Sequence, residues 1–314
     1  MGRFIILLFI GFTFSSMAFA QTLCERSDTT FRVLHFTKTS GFDHGTREES
    51  KSMFETIGSS KGFTITDTQD ASVFNNLDSL NTYSVIIFSN TSGNNLFNTT
   101  QKSNFESYMN GGGSYIGIHA ATDTYRTGWS FYNEIVGGIV QTSPNHTSQN
   151  HVNTMDHLID HEILQSLPSP WEKQEEYYYW DLNGGMMDSI NFTPLLRVRR
   201  TGSDSYDRPR PMAWNRIFPG GARSFYTALG HKTSNYTNPG NDFSTLLSNA
   251  VCWSAYDKDA IILPSDNIKI TGANLLIESA NKGIILKAEN GNCYQVTVGN
   301  SGSLYTILIE CPNE

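Results

Sequence analysis

The stretch Gly111 to Asp123, GGGSYIGIHAATD, decides the fold. Three glycines end a run of helical composition, Ser114 to Ile118 have the composition of a buried parallel strand, and His119 stands where that strand must stop. In an open α/β sheet, ligands collect at the carboxyl ends of the strands. A histidine at that point is placed for chemistry or binding. Gly117-Ile118-His119-Ala120-Ala121 also has the form of a nucleophile elbow, in which a strand turns sharply and holds the central side chain up into a cleft. The centre here is an imidazole, so acyl-enzyme chemistry through a Ser or Cys at this point is excluded. Acid, base, metal ligand and hydrogen-bond partner remain open.

Working outward, the pattern repeats. Phe31 to Phe36 reads as a strand, followed by a polar loop that carries His44 and then a helix capped by Thr46, with Glu49 as its capping-box partner and Met53, Phe54 and Ile57 on one face. Phe63 to Thr66 reads as a second strand. Tyr83 to Phe88 (YSVIIF) is apolar on both faces and belongs inside the sheet, with Asn90 in the loop at its end. Thr99 caps the next helix, whose stripe is Phe105, Tyr108 and Met109. Strands alternating with helices predict an α/β fold: a parallel sheet with helices on both faces and right-handed crossovers. The loops carrying His44, Asn90 and His119 then open on one edge. Leu195 to Arg199, Met212 to Trp214 and Arg223 to Leu229 read as further strands, the last running into Gly230-His231, and Phe243 to Tyr256 closes the body as a helix.

The ends of the chain have a different character. Residues 1 to 20 read as an export signal: Arg3, an apolar run from Phe4 to Phe14, and an Ala18-Phe19-Ala20 cleavage site. They predict a secreted or periplasmic protein. The 21–258 segment is the expected α/β domain. From Ile261, short alternating runs (Asn267 to Ile270, Leu275 to Ile277, Gly283 to Lys287, Cys293 to Val298, Leu304 to Ile309) separated by Gly, Asn and Ser predict a small all-β module over 259–314, with the boundary near Lys258 to Ser265. Four cysteines in an exported chain suggest disulfides, with Cys24 and Cys252 at the two ends of the body and Cys293 and Cys311 in the tail. Spacing alone leaves the pairing open. No run after the leader is long enough to span a membrane. The formal charge of −8 disfavours a phosphate backbone as partner, so no nucleic acid is expected and a small neutral polar ligand fits better.

His231, after a strand and a permissive glycine, shares a cleft with His119 if both strands belong to one parallel sheet. Glu175 and Glu176 lie in EEYYYW, where either aromatic neighbours desolvate a carboxylate and raise its pKa, as a general acid requires, or both are solvated surface acids, with Glu176 as the catalytic candidate. Arg223 suits an oxygen-rich ligand. The histidines at 146, 151, 157 and 161 have no HExxH or cysteine-paired spacing, so that run gives no zinc motif. No cofactor motif is read anywhere in the chain.

Residues about 32 to 256 resemble the trehalose-utilisation (ThuA-like) family. The likeness runs through TKTSGFDHGT, IIFSNTSG, QKSNFESYMNGGGSYIGIHAATD, WSFYNEIVGG, EEYYYW, PMAWNR and RSFYTALGHKTSNY. It implies a flavodoxin-like sheet and a fold similar to class I glutamine amidotransferases with the catalytic cysteine replaced by His119, hence not an amidotransferase, and a place in the metabolism of trehalose and oxidised (3-keto) sugars. The family's recurrent polar residues fall on His44, His119, Asp123, Glu176, Tyr178, Trp214, Arg223 and His231. One departure is Arg210, which stands before Pro211 where the family usually has His. The tail resembles a short terminal β module of exported bacterial proteins.

Together these readings give three functions. The first is acid/base chemistry on a glucose-type, 3-keto glycoside, as isomerase or hydrolase: His119, His231 and Glu176 as catalytic groups, His44, Asp123 and Arg223 binding, and Tyr178 and Trp214 stacking on the sugar ring. The second is a non-catalytic sugar-binding module. The third is a metal-dependent hydrolase using His44, His119 and His231.

Overall fold

The structure is a computed structural model that describes residues 24, 30–180, 191–202, 207–238, 240–256, 284–288, 290–299 and 302–309. These fall into two units, a body up to Tyr256 and a C-terminal unit from Ile284. The leader expected at 1–20, the boundary near Lys258 to Ser265, the strands expected at Asn267 to Ile270 and Leu275 to Ile277, and Cys311 lie outside the described residues.

The body is built on strands β1 (Phe31–Phe36), β2 (Phe63–Thr68), β3 (Val85–Ser89), β4 (Ser114–Ile118), β5 (His151–His157), β6 (Trp171–Glu175), β7 (Thr193–Val198), β8 (Arg210–Ile217) and β9 (Arg223–Thr227). Among the described residues they form one sheet in the order β2-β1-β3-β4-β9-β8-β7-β5-β6. The first five in that order are parallel, as expected from the strand–helix alternation. The other four extend the sheet antiparallel, which the sequence reading missed. The cause is visible in β5, a polar strand of half-buried residues with no apolar run to announce it. By contrast β3, β4 and β9 are buried along their whole length, and β3 and β4 are apolar on both faces apart from one serine each.

Helices α1 (Arg47–Lys61), α2 (Leu77–Leu80), α3 (Thr99–Asn110), α4 (Ser130–Val136) and α5 (Asp242–Ser254) complete the body. Consecutive strand residues point to opposite faces, and β1 shows both faces covered. His35 packs on Phe54 of α1 with ring centroids 5.5 Å apart, whereas Phe36 packs on Phe88 at 5.3 Å, and Phe88 in turn lies 5.5 Å from Phe105 of α3. Each such ring contributes about 1.5–3 kcal/mol through burial.

Two caps differ from expectation. α3 starts one residue earlier, with Asn98 and Gln101 closing a capping box. Thr46 does precede α1 but its side chain makes no cap hydrogen bond. Instead its hydroxyl accepts from Asn90 Nδ2 at 2.9 Å, tying two strand-end loops together under the sheet's carboxyl edge.

A disulfide joins Cys24 to Cys252 near the end of α5. Cys293 is also disulfide-bonded. The C-terminal unit is an antiparallel sheet of β10 (Ile284–Lys287), β11 (Cys293–Val298) and β12 (Leu304–Ile309), in that order. Among the described residues no helix is long and apolar enough to cross a membrane.

Candidate functional site

β4 and β9 run parallel, with Ile118 beside Thr227, so the turns that follow them leave the sheet at one edge. His119 opens a one-turn 3-10 segment, His119–Asp123, at φ +47, a backbone conformation that costs a non-glycine residue about 1–2 kcal/mol. Its Nδ1 lies 2.7 Å from the Ala228 carbonyl. A carbonyl only accepts, so Nδ1 carries the proton and the Nε2 lone pair faces outward. Around that lone pair stand the Tyr178 hydroxyl at 3.0 Å, Glu176 Oε2 at 3.2 Å and His231 Nδ1 at 3.3 Å. His231 Nδ1 is also 3.1 Å from Glu176 Oε2, and its Nε2 lies 3.2 Å from Gln149 Oε1, so both ring nitrogens face oxygens that accept. His119 Nε2, His231 Nδ1 and Glu176 Oε2, each able to ligate a cation, therefore meet at one point with the Tyr178 hydroxyl as a donor beside them.

His44 completes the group. Its ring centroid is 4.7 Å from that of His119 and 5.0 Å from that of His231, and its Nδ1 is buried without a hydrogen-bond partner. One ligand atom from each of His44, His119, Glu176 and His231 lies within 4.8 Å of all the others. Burial, helped by the neighbouring His119 and His231, pushes the His44 pKa down to about 2, so the ring stays neutral. Burial pushes the Glu176 carboxyl up, but its contacts with His119 and His231 outweigh this and hold it below the ordinary carboxylate range. The sequence expectation of a raised, proton-donating Glu176 is therefore corrected. It is an anion among imidazoles.

The loop that delivers His231 is fastened from below. Gly230 has φ +109, and a Cβ there would come within 2.6 Å of the Tyr236 hydroxyl oxygen and 3.0 Å of Ile118 Cγ2, so only glycine fits. Its carbonyl accepts from Asn90 Nδ2 at 3.1 Å and from the Tyr236 hydroxyl at 2.9 Å.

His44, Glu176 and His231 border a cavity of about 560 Å³ lined also by Phe42, Asp123, Arg126, Val140, Asn145 and Gln149, and the fully buried His119 lies behind them. Asp123 pairs with Arg126 Nε at 2.5 Å. His146 Nδ1 lies 3.0 Å from Glu176 Oε1, the oxygen turned away from the three other imidazoles. Phe42, Arg126, Asn145 and Gln149 were not singled out from sequence, and His146 was read only as part of the histidine run. The backbone of Asn145 to Thr147 is stitched to Tyr177 and Tyr179, a long-range pairing that no local pattern signals.

Of the residues assigned from sequence, His44, His119, Asp123, Glu176, Tyr178 and His231 come together, and two do not. Trp214 is fully buried, donates through Nε1 to the Val136 carbonyl at 2.8 Å and packs on Tyr226, so it cannot stack on a ligand in this cavity. Arg223 sits at the opposite end of β9, where its guanidinium donates to the Trp253 carbonyl and lies 4.5 Å from the centre of the Tyr256 ring. Tyr178 lines the cavity, but its ring is stacked on His119 at 4.4 Å. Its role is hydrogen bonding more than ring stacking. Arg210 is buried, paired with Asp207 at 2.8 Å, and donates to the Tyr178 carbonyl at 2.5 Å, so it braces the wall and does not replace the lost imidazole. The histidine-rich run disperses: His146 reaches the cavity, whereas His161 bonds Asn215.

A second constellation resembles a catalytic triad. His35 lies 2.8 Å from Asp67 and 2.9 Å from Ser50 Oγ. His35 and Ser50 are fully buried, and Ser50 Oγ also meets Ser89 Oγ at 3.0 Å, so no substrate reaches it. It is a structural polar network.

Residues 32–254 match the family described as ThuA, trehalose utilisation. The chain belongs to the ThuA family. Among solved structures, the fold is similar to a ThuA-like protein from Bacteroides uniformis (22% identity, TM-score 0.58, covering 73% of this chain and 93% of that one). A ThuA-like protein from Parabacteroides merdae is also similar (18% identity, TM-score 0.54, covering 72% and 90%). None of the curated proteins matches the chain. The ThuA family connection gives the protein a carbohydrate-related role.

Proposed function

We propose that this ThuA-family protein acts on a glucose-type sugar, in its 3-keto form, at a divalent transition-metal centre held by His44, His119, His231 and Glu176. The observation that supports this most is the meeting of His119 Nε2, His231 Nδ1 and Glu176 Oε2 within 3.1–3.3 Å of one another. Acceptors that close repel unless protons or a cation lie between them, and the Tyr178 hydroxyl serves His119 Nε2 alone. A shared proton serves two partners, whereas His44 brings a fourth donor with an unpartnered buried nitrogen. Three imidazoles and one carboxylate suit Zn, Mn, Fe or Ni. Such an ion supplies Lewis acidity toward a sugar carbonyl or hydroxyl.

The chain's own groups do the rest. Asp123 and Arg126 offer an acceptor and donors to sugar hydroxyls from the cavity wall, and the Tyr178 hydroxyl reaches the buried centre. The disulfide between Cys24 and Cys252 supports an oxidising, extracytoplasmic compartment, secreted or periplasmic. The test is mass spectrometry of 3-keto-glucosides and their parent glycosides incubated with the protein, with and without a chelator. Conversion that stops on chelation and returns with added metal is expected. Conversion indifferent to chelators would remove the metal, and binding without conversion would leave a non-catalytic sugar-binding module.

A further inference from the structure

Among the described residues of the body, Phe42 is the most exposed aromatic side chain. It is 65% exposed, yet it lies on a loop with little freedom to move. The Ser92 carbonyl accepts the backbone N–H of Ser40 at 2.8 Å and of Gly41 at 3.2 Å, and the Ser92 hydroxyl donates to the Phe42 carbonyl at 2.6 Å. The approach is so close that a Cβ on Gly93, at φ +87, would come within 2.5 Å of the Gly41 nitrogen. A rigid loop that holds a phenyl ring in water gains nothing for folding from that ring. One exposed ring is ordinary on a protein surface, so what singles out Phe42 is its place in the cavity lining.

The ring's surroundings say what it touches. Phe42 lines the cavity and meets His44 edge-on, with centroids 4.9 Å apart, so it stands beside the four-residue centre. Of the remaining lining, Asp123, Arg126, Asn145 and Gln149 are polar, and Val140 adds an apolar side chain. An apolar plate within a ring of donors and acceptors matches a pyranose, which has C–H faces and a hydroxyl rim. From sequence the stacking role fell to Trp214 and Tyr178, and both rings are already covered by protein.

We infer that Phe42 is the platform on which one face of the sugar ring stacks, and that it sets the preference for glucose-type rings. The inference rests on the carbohydrate reading of the cavity, though not on its metal. An axial hydroxyl, as in a galactose-type ring, obstructs the face it projects from and leaves the opposite C–H face open, so the preference requires that Phe42 meet the obstructed face. Discrimination between such epimers therefore depends on the Phe42 ring.

The experiment is calorimetric titration of wild type, Phe42→Ala and Phe42→Trp with trehalose, 3-keto-trehalose and the methyl glycosides of glucose and galactose. Phe42→Ala is expected to weaken glucose-type ligands about tenfold and to narrow the glucose–galactose gap, with melting temperature and bound metal unchanged. Phe42→Trp restores both affinity and preference. Equal binding by wild type and Phe42→Ala overturns the platform and leaves the carbohydrate reading standing. A fall in melting temperature that accounts for the weakened binding assigns Phe42 to the fold and also overturns it. Failure of wild type to bind any of these sugars at millimolar concentration overturns the carbohydrate reading and the platform together.

Discussion

Glu175 and Glu176 are consecutive, yet their carboxylates serve opposite sides of the same loop. Glu176 Oε2 faces His119 and His231 in the cavity, whereas Glu175 is fully buried. Its Oε2 accepts the Gly230 N–H and the Asn235 amide, both at 3.0 Å, and its Oε1 accepts the His231 N–H at 3.2 Å. One acid belongs to the centre and its neighbour places an imidazole of that centre.

Glu175→Gln tests this division of labour. The amide keeps the shape but turns an NH2 toward donors, so the loop shifts and metal affinity falls about 10–100-fold, the usual effect of losing an outer-shell partner. Competition with a chromophoric chelator measures it. Unchanged affinity would show that the loop holds His231 without Glu175.

Trp214 provides the contrasting case. Its ring is packed against Tyr226 and Trp180 with no face on the cavity. Trp214→Ala should cost about 3–5 kcal/mol in denaturant unfolding. The milder Trp214→Phe should fold and bind sugar with wild-type affinity, and a large rise in the sugar Kd would return Trp214 to the binding site.

How much of this was legible in the sequence follows from the range of the forces involved. His119 and His231 were found because each ends an apolar strand, a local pattern, and parallel pairing then brings them to one edge. Arg223 was misplaced because it begins the strand that ends near His231, so it lies at the far edge. Glu176 was seen but its ionisation was read the wrong way. The aromatic neighbours are in the sequence, while the imidazoles that outweigh them arrive only on folding. The strand His151–His157 and the segment carrying His146 and Gln149 are polar and pair with distant backbone, so no periodicity betrays them.

Acid stability should depend on the buried network around Asp67. Burial pushes that carboxyl up, but hydrogen bonds from His35 and Arg47 outweigh it and hold the pKa below its ordinary value of 3.8. A carboxylate whose folded pKa is depressed stabilises the protein above the unfolded value, and that contribution disappears as pH falls through the folded one. Melting temperature should therefore drop below about pH 4 in wild type. Asp67→Asn should be less stable at neutral pH and show a shallower acid limb, and parallel curves would contradict the assignment.

The Cys24–Cys252 disulfide closes a loop of 228 residues, so its loss should be felt mainly through the unfolded chain. Cys252→Ser is expected to lower stability by about 2–5 kcal/mol while leaving metal and sugar binding of the folded protein intact. Denaturant titration under oxidising and reducing conditions measures it. Identical midpoints would contradict the bond's contribution.

The most direct measurement is cobalt titration of the chelator-stripped, untagged protein, followed by visible absorption and elemental analysis. The account predicts one tightly held Co(II) per chain with the d–d spectrum of a nitrogen-rich site, displaced by zinc and lost in His119→Ala and Glu176→Gln. Failure of the folded wild-type chain to take up cobalt, zinc, manganese, nickel or iron would contradict it.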